Sequence, residues 1–163
     1  MRIPENYQYV LFGGTFILAN KLQYVADRMV AGIPTKQWFL LRTLQDMPTQ
    51  PPSTITTLAN ETNTTRQNNT KMLELLHRKG YVTLTDNPND QRSRLVEMTE
   101  QGRQMLDVMA SRSMDFFLEL FDGISEEECE TAARVTIKLI ENLGKMQDSS
   151  DDVHANNKER MSL

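Results

Sequence analysis

The chain has 163 residues, enough for one domain or for a small domain with a dimerisation extension. Apolar content is 39% and charged content 25%, and no run approaches the ~20 apolar residues of a membrane span. The only cysteine, Cys129, leaves no intrachain disulfide, and the first residues lack the layout of a signal peptide, so a cytoplasmic protein is expected.

The net charge of −4 is unevenly spread, at +2 over residues 1–59, +1 over 60–103 and −7 over 104–163. A nucleic-acid reader needs a local basic surface rather than a basic chain, and the acidity lies in the last third.

In chain order, residues 5–30 predict a helix with a wide apolar stripe that includes Leu11, Phe12, Phe16, Leu22 and Val25. Gly13-Gly14 within it calls for a close helix contact or a kink. After Gly32-Ile33-Pro34, residues 35–47 predict a second helix with Trp38, Leu41 and Leu44 inward, closed by the prolines at 48, 51 and 52. Ser53 is the expected N-cap of a short helix over 54–62. Asn63 suits the tight turn that follows, and Thr64-x-x-Gln67 reads as a capping box opening a helix to about Lys79, ended by Gly80. Two helices joined this closely make a helix-turn-helix.

Residues 81–86 and 94–99 alternate as strands do, with the turn cluster Asn87-Pro88-Asn89-Asp90 between them. The result is a hairpin directly after a recognition helix, which is a wing. A long helix over 100–121 follows. Ser125-x-x-Glu128 opens another to about Met146, and residues 147–163 form a polar tail with no need to pack. The fold class is mainly α with a small β-hairpin. Residues 1–34 form an N-terminal dimerisation helix, 35–99 the winged helix-turn-helix domain, 100–146 the C-terminal linker and dimerisation helices, and 147–163 the tail. The outer helices carry apolar faces that a single chain has little to cover, which implies a homodimer.

On the recognition helix, Asn69, Met72, Leu73 and Leu76 fall inward. Thr64, Thr65, Arg66, Gln67, Asn68, Thr70 and Lys71 are left for DNA, with Ser53 nearby at the start of the preceding helix. Amides pair with adenine, Lys and Arg favour guanine, and hydroxyls reach base edges or phosphate. Solvated helices commonly have a polar face, but they usually mix charge signs. Here no Asp or Glu occurs between residues 62 and 73. In the wing, Arg92 and Arg94 suit a narrow minor groove, and Asp90 is placed to hold the Arg92 guanidinium. The partner implied is double-stranded DNA.

The wing segment NPNDQRSRLVEMTEQG (87–102) resembles the signature of the MarR family of multiple-antibiotic-resistance regulators, in which Asp-x-Arg precedes a strand and Leu-Thr-x-x-Gly; Met98 replaces the leucine. LLHRKGYV (75–82), TKQWFLL (35–41) and GISEEE (123–128) are similar to family segments as well. The resemblance covers about residues 5–146. It implies a dimer with interlocked terminal helices, a palindromic operator, regulation that is usually repression, and often release by a small phenolic, lipophilic or oxidising effector. Asn69 departs from the family's usual aliphatic residue. It would either loosen the helix or bond to the local backbone.

An apolar or phenolic effector would be held by Phe12, Phe16, Trp38, Phe39, Met105 and Met109, although such residues are more often simple core. Cys129 follows three glutamates, which disfavour its thiolate, so a half-buried helix residue is expected rather than a redox sensor. The two histidines have no partners at metal spacing. No catalytic set, metal site or cofactor motif is present, and no enzyme activity is expected. The competing reading is a winged-helix protein-interaction module that does not bind an operator.

Overall fold

The computed structural model describes residues 6–29, 32–90 and 92–160, with side chains through residue 147. Parts of the expected first helix (residues 5 and 30) and of the tail (161–163) lie outside these. The chain divides into two compact units, one ending at Leu120 and the other beginning at Phe121.

In the first unit, α1 (Tyr7–Met29) runs without a break, and nothing in the chain comes within 4 Å of a Cβ built at Gly13 or Gly14. The expected close contact at this glycine pair is therefore absent among the described residues. Helix α1 has no buried residue, and Phe12 and Phe16 are 69% and 61% exposed. Helix α2 (Thr35–Asp46) buries Gln37, Leu40, Leu41 and Leu44. That spacing of three and four residues forms one helical face and leaves Trp38 only half-buried at its edge. Pro34, the N-cap, offers no side-chain cap. The Asp27 carboxylate of α1 takes that role, accepting from the Thr35 N–H at 2.6 Å and its hydroxyl at 2.5 Å. These bonds, the hydroxyl one first, hold the Asp27 carboxyl below its usual pKa.

Ser53 and Thr54 form a short strand, β1, rather than a helix start. The cap of α3 (Ile55–Glu61) is Thr54, in a capping box with Thr57. The shift by one residue follows from sheet pairing: Ser53 lies opposite Val96 and Thr54 opposite Leu95 in the antiparallel sheet, whose order is β1-β3-β2. A second shift occurs at α4 (Arg66–Arg78). Its N-cap is Thr65, whose hydroxyl accepts from the Asn68 N–H, because Thr64 is engaged elsewhere. Asn63 has φ 47° and Gly80 φ 78°, the left-handed turns expected on either side of the helix.

Strands β2 (Val82–Asp86) and β3 (Arg94–Met98) pair from Val82–Met98 to Asp86–Arg94. The anticipated helix over 100–121 is two helices, α5 (Glu100–Arg112) and α6 (Met114–Leu120). At the break, the Ser113 hydroxyl donates to Ala110 O at 3.1 Å, a local bond that competes with helix continuation. Leu40, Leu41, Leu58, Leu73, Leu76, Val82 and Val96 are almost fully buried and form the core with Leu106 and Met109. Each contributes roughly 1.5–3 kcal/mol through burial.

The second unit is α7 (Glu126–Arg160) and the turn before it. Its capping box is as expected, with Glu128 Oε2 accepting from the Ser125 N–H at 2.8 Å and its hydroxyl at 2.7 Å. Those two bonds, the backbone one first, lower the Glu128 pKa. The helix continues well past Met146, since residues 147–160 contain neither glycine nor proline to stop it. Ile137, Ile140, Leu143 and Met146 are all exposed at a three-residue spacing. No helix among the described residues is long and apolar enough to cross a membrane.

Candidate nucleic-acid interface

The interface rests on the turn between α3 and α4. Asn69 is wholly buried. It accepts from the Thr64 hydroxyl at 2.6 Å and donates to the Thr62 hydroxyl at 3.3 Å, while Thr62 Oγ1 donates to Leu58 O at 2.8 Å. The polar residue where an aliphatic one was expected is therefore satisfied by the two threonines of the turn, and it ties α4 to the end of α3. A buried amide without those partners would cost roughly 1–3 kcal/mol. Thr64 thus serves the turn rather than the exposed face.

Arg66, Gln67, Asn68 and Lys71 are exposed over the first half of α4, and Thr70 is half-buried with its hydroxyl donating to Arg66 O at 2.8 Å. Thr65 is exposed and caps the helix, whose first turn holds no acidic residue. The free N–H groups of that end add positive potential to Arg66 and Lys71. Ser53 is buried, with its hydroxyl directed to the Met47 sulfur at 3.9 Å.

The base of the wing explains the motif that marks it in the sequence. Thr99 donates its hydroxyl to Gly80 O at 2.6 Å and its N–H to Tyr81 O at 3.1 Å, and it accepts from the Gly102 N–H at 3.0 Å. A Cβ on Gly102 would overlap the Tyr81 carbonyl oxygen. The end of α4, the two hairpin strands and the start of α5 therefore meet at one point, where a hydroxyl at residue 99 joins them and a Cβ at residue 102 has no room. His77 adds a bond from Nδ1 to Val82 O at 2.9 Å.

At the tip, the Asp90 carboxylate accepts from the main-chain N–H of Arg92 at 2.9 Å, not from its guanidinium. Two-residue spacing favours this turn bond, because an aspartate reaches the backbone two residues on with little loss of freedom. Asn87 and Ser93 close the tip through their side chains at 2.8 Å. Arg66 Nη2 donates to Arg92 O at 2.6 Å. Arg94 sits lower, opposite Asp86, half-buried, with its Nε sealed from solvent and no partner for it among the described residues.

The six residues expected to hold an effector differ in exposure and in what they touch. Phe12 and Phe16 contact each other edge to face at 5.4 Å. Met109 is buried in the core, Trp38 and Met105 pack against it, and Phe39 is 51% exposed. Met105 and Met109 also flank Gly32, whose φ of 148° and lack of a side chain admit the Met109 sulfur. Cys129 is half-buried in α7. The described residues contain no cluster of three metal-binding side chains.

A helix-turn-helix followed by a hairpin wing, with a cation-bearing first half of α4 that holds no acidic residue, is a winged-helix unit. Residues 31–93 match the sequence model described as MarR family. The chain is 27% identical over 143 residues to the transcriptional activatory protein BadR of Rhodopseudomonas palustris, covering 86% of this chain and 82% of that one. Among solved structures it resembles Sco3205 of Streptomyces coelicolor, a MarR family transcriptional regulator in complex with DNA, at TM-score 0.72 and 23% identity, covering 88% and 91% of the two chains. It also resembles the PcaV transcriptional regulator of Streptomyces coelicolor, in complex with its natural ligand, at TM-score 0.66 and 16% identity, covering 88% and 98%. Residues 31–93 thus resemble the MarR family, and the solved structures share the winged-helix fold over most of the chain.

Proposed function

We propose that the chain is a cytoplasmic homodimer that binds a palindromic operator and represses transcription by occupying it. The exposed first half of α4, free of acidic residues, tied to α3 by the Asn69 bonds and set beside an arginine-bearing wing by the Thr99 bonds, carries this reading. Gln67, Asn68 and Lys71 read base edges, Thr65 and Thr70 lie against phosphate, and Arg92 and Arg94 serve the minor groove. Residues 35–99 then form the DNA-binding domain, and the helices on either side form the dimer. Support for a second copy comes from the exposed large apolar side chains of α1 and α7, since contiguous exposed apolar patches mark interaction surfaces. Two-fold symmetry would set the reading helices about 34–36 Å apart, one turn of DNA.

Selection from a random duplex library by the full chain tests the reading. A palindrome with half-sites one turn apart is expected, and no enrichment would leave the interaction-module alternative. Gln67→Ala and Lys71→Ala should each relax preference at one base pair by about 1–3 kcal/mol, read in the same selection. Unchanged preferences in both would remove this face from base reading.

The sign of regulation is tested by transcription from a promoter carrying the selected site. The name of the Rhodopseudomonas palustris relative favours activation as the second outcome. A small apolar or phenolic effector is proposed to act through Phe12, Phe16, Trp38, Phe39, Met105 and Met109, supported by the ligand complex of PcaV. Loss of operator binding on adding simple phenolic acids would identify it.

A further inference from the structure

Both main-chain polar groups of Arg92 are held by side chains. Its N–H donates to Asp90 Oδ1 at 2.9 Å and its C=O accepts from Arg66 Nη2 at 2.6 Å. Arg66 is the first residue of α4, so the second bond joins the reading helix to the wing tip. The other tip bonds, among Asn87, Asn89, Asp90, Arg92 and Ser93, stay within the tip. Among the described residues no other hydrogen bond links α4 to residues 87–93.

The geometry makes that bond matter more than its energy suggests. The wing is anchored at its base by Thr99, Gly80 and Gly102 and farther along by the pairing of β3 with β1 at Leu95 and Val96, so the part beyond Thr85 and Leu95 projects. That part is an arm of roughly 10 Å, so a tilt of about 15° there moves the tip by about 2.5 Å. The minor groove is only about 6 Å wide. An exposed hydrogen bond adds little to global stability, but it removes this tilt.

We propose that Arg66 is a positioning residue, a strut that fixes the wing relative to the reading helix so that Arg92 enters the minor groove next to the bases α4 reads. The proposal rests on the operator-binding reading for its functional consequence, but not for its test in the free protein. Arg66 acts here through Arg92, not through a phosphate of its own.

The test uses the full chain, with Arg66→Ala compared with wild type in two measurements. In the free protein, ¹⁵N relaxation should show the amides of residues 89, 90, 92 and 93 becoming more mobile in Arg66→Ala, with Thr62 and Asn69 unchanged. On DNA, wild type should prefer A·T over G·C flanks, and Arg66→Ala should lose that preference by roughly fivefold while keeping its base preferences at the half-site. Adding Arg92→Ala to Arg66→Ala should cost little more, because the two act as one unit. Unchanged wing mobility with additive losses, and a salt slope lower by about one, would make Arg66 an ordinary phosphate contact and overturn the proposal. If wild type selects no DNA, the operator reading fails, and the relaxation data alone decide the strut.

Discussion

The winged unit and the outer helices satisfy their side chains in different ways. Between Gln37 and Met109 the core residues are closed off, and the fully buried amide of Asn69 has two hydroxyl partners. Helix α1 buries nothing, and α7 exposes Ile137, Ile140, Leu143 and Met146. The winged unit is thus closed within one chain, whereas the outer helices leave large apolar side chains exposed.

The comparison is tested most severely by paired truncations. Leu73→Ala, in the sealed core, should cost about 2–5 kcal/mol at any protein concentration, read from urea midpoints. Ile140→Ala should cost well under ~1 kcal/mol in dilute protein, and more as concentration rises and mass action favours the assembled form. Equal, concentration-independent losses would erase the distinction between the two regions.

The next effect concerns assembly alone. Phe16→Glu with Ile140→Glu should convert a dimer to a monomer in light scattering, while near-ultraviolet circular dichroism from Trp38 stays native. Loss of that signal would mean that these helices are needed for the winged unit to fold.

Asn69→Leu sharpens the comparison inside the reading head. Leucine fills similar volume but removes the amide that bonds both Thr62 and Thr64, leaving each hydroxyl one bond fewer, so about 1–3 kcal/mol should be lost. A more stable variant would show that the network serves geometry alone, which library selection would then reveal as altered base preference.

The smallest effect is electrostatic. Asp27 has a lowered pKa in the folded chain, so its bond to Thr35 stabilises above the unfolded value of about 3.9 and fades as pH falls through the lower folded value. The urea midpoint of Asp27→Ala should lie below wild type at pH 7, and the gap should narrow below about pH 4. A gap that widens in acid would reverse the sign.

Most of the elements were legible in the amino-acid order, because local chemistry decides them. Glycine or asparagine at the turns, prolines after α2, the Ser125 box and the alternation of the wing strands each impose one backbone choice on a few neighbouring residues. The wing signature was legible too, though not its reason: Thr99 and Gly102 meet Gly80 and Tyr81, about twenty residues earlier, at the same point. Where expectation and structure differ, distant pairing prevailed. Ser53 became a strand residue because β3 needed an edge, Thr64 left the cap for Asn69, and Asp90 turned to the backbone while Arg66 reached the tip. A sequence specifies period, turn and cap because those forces act within a few residues. Which side chain completes another's hydrogen bonds depends on positions that exist only after the helices and strands have packed.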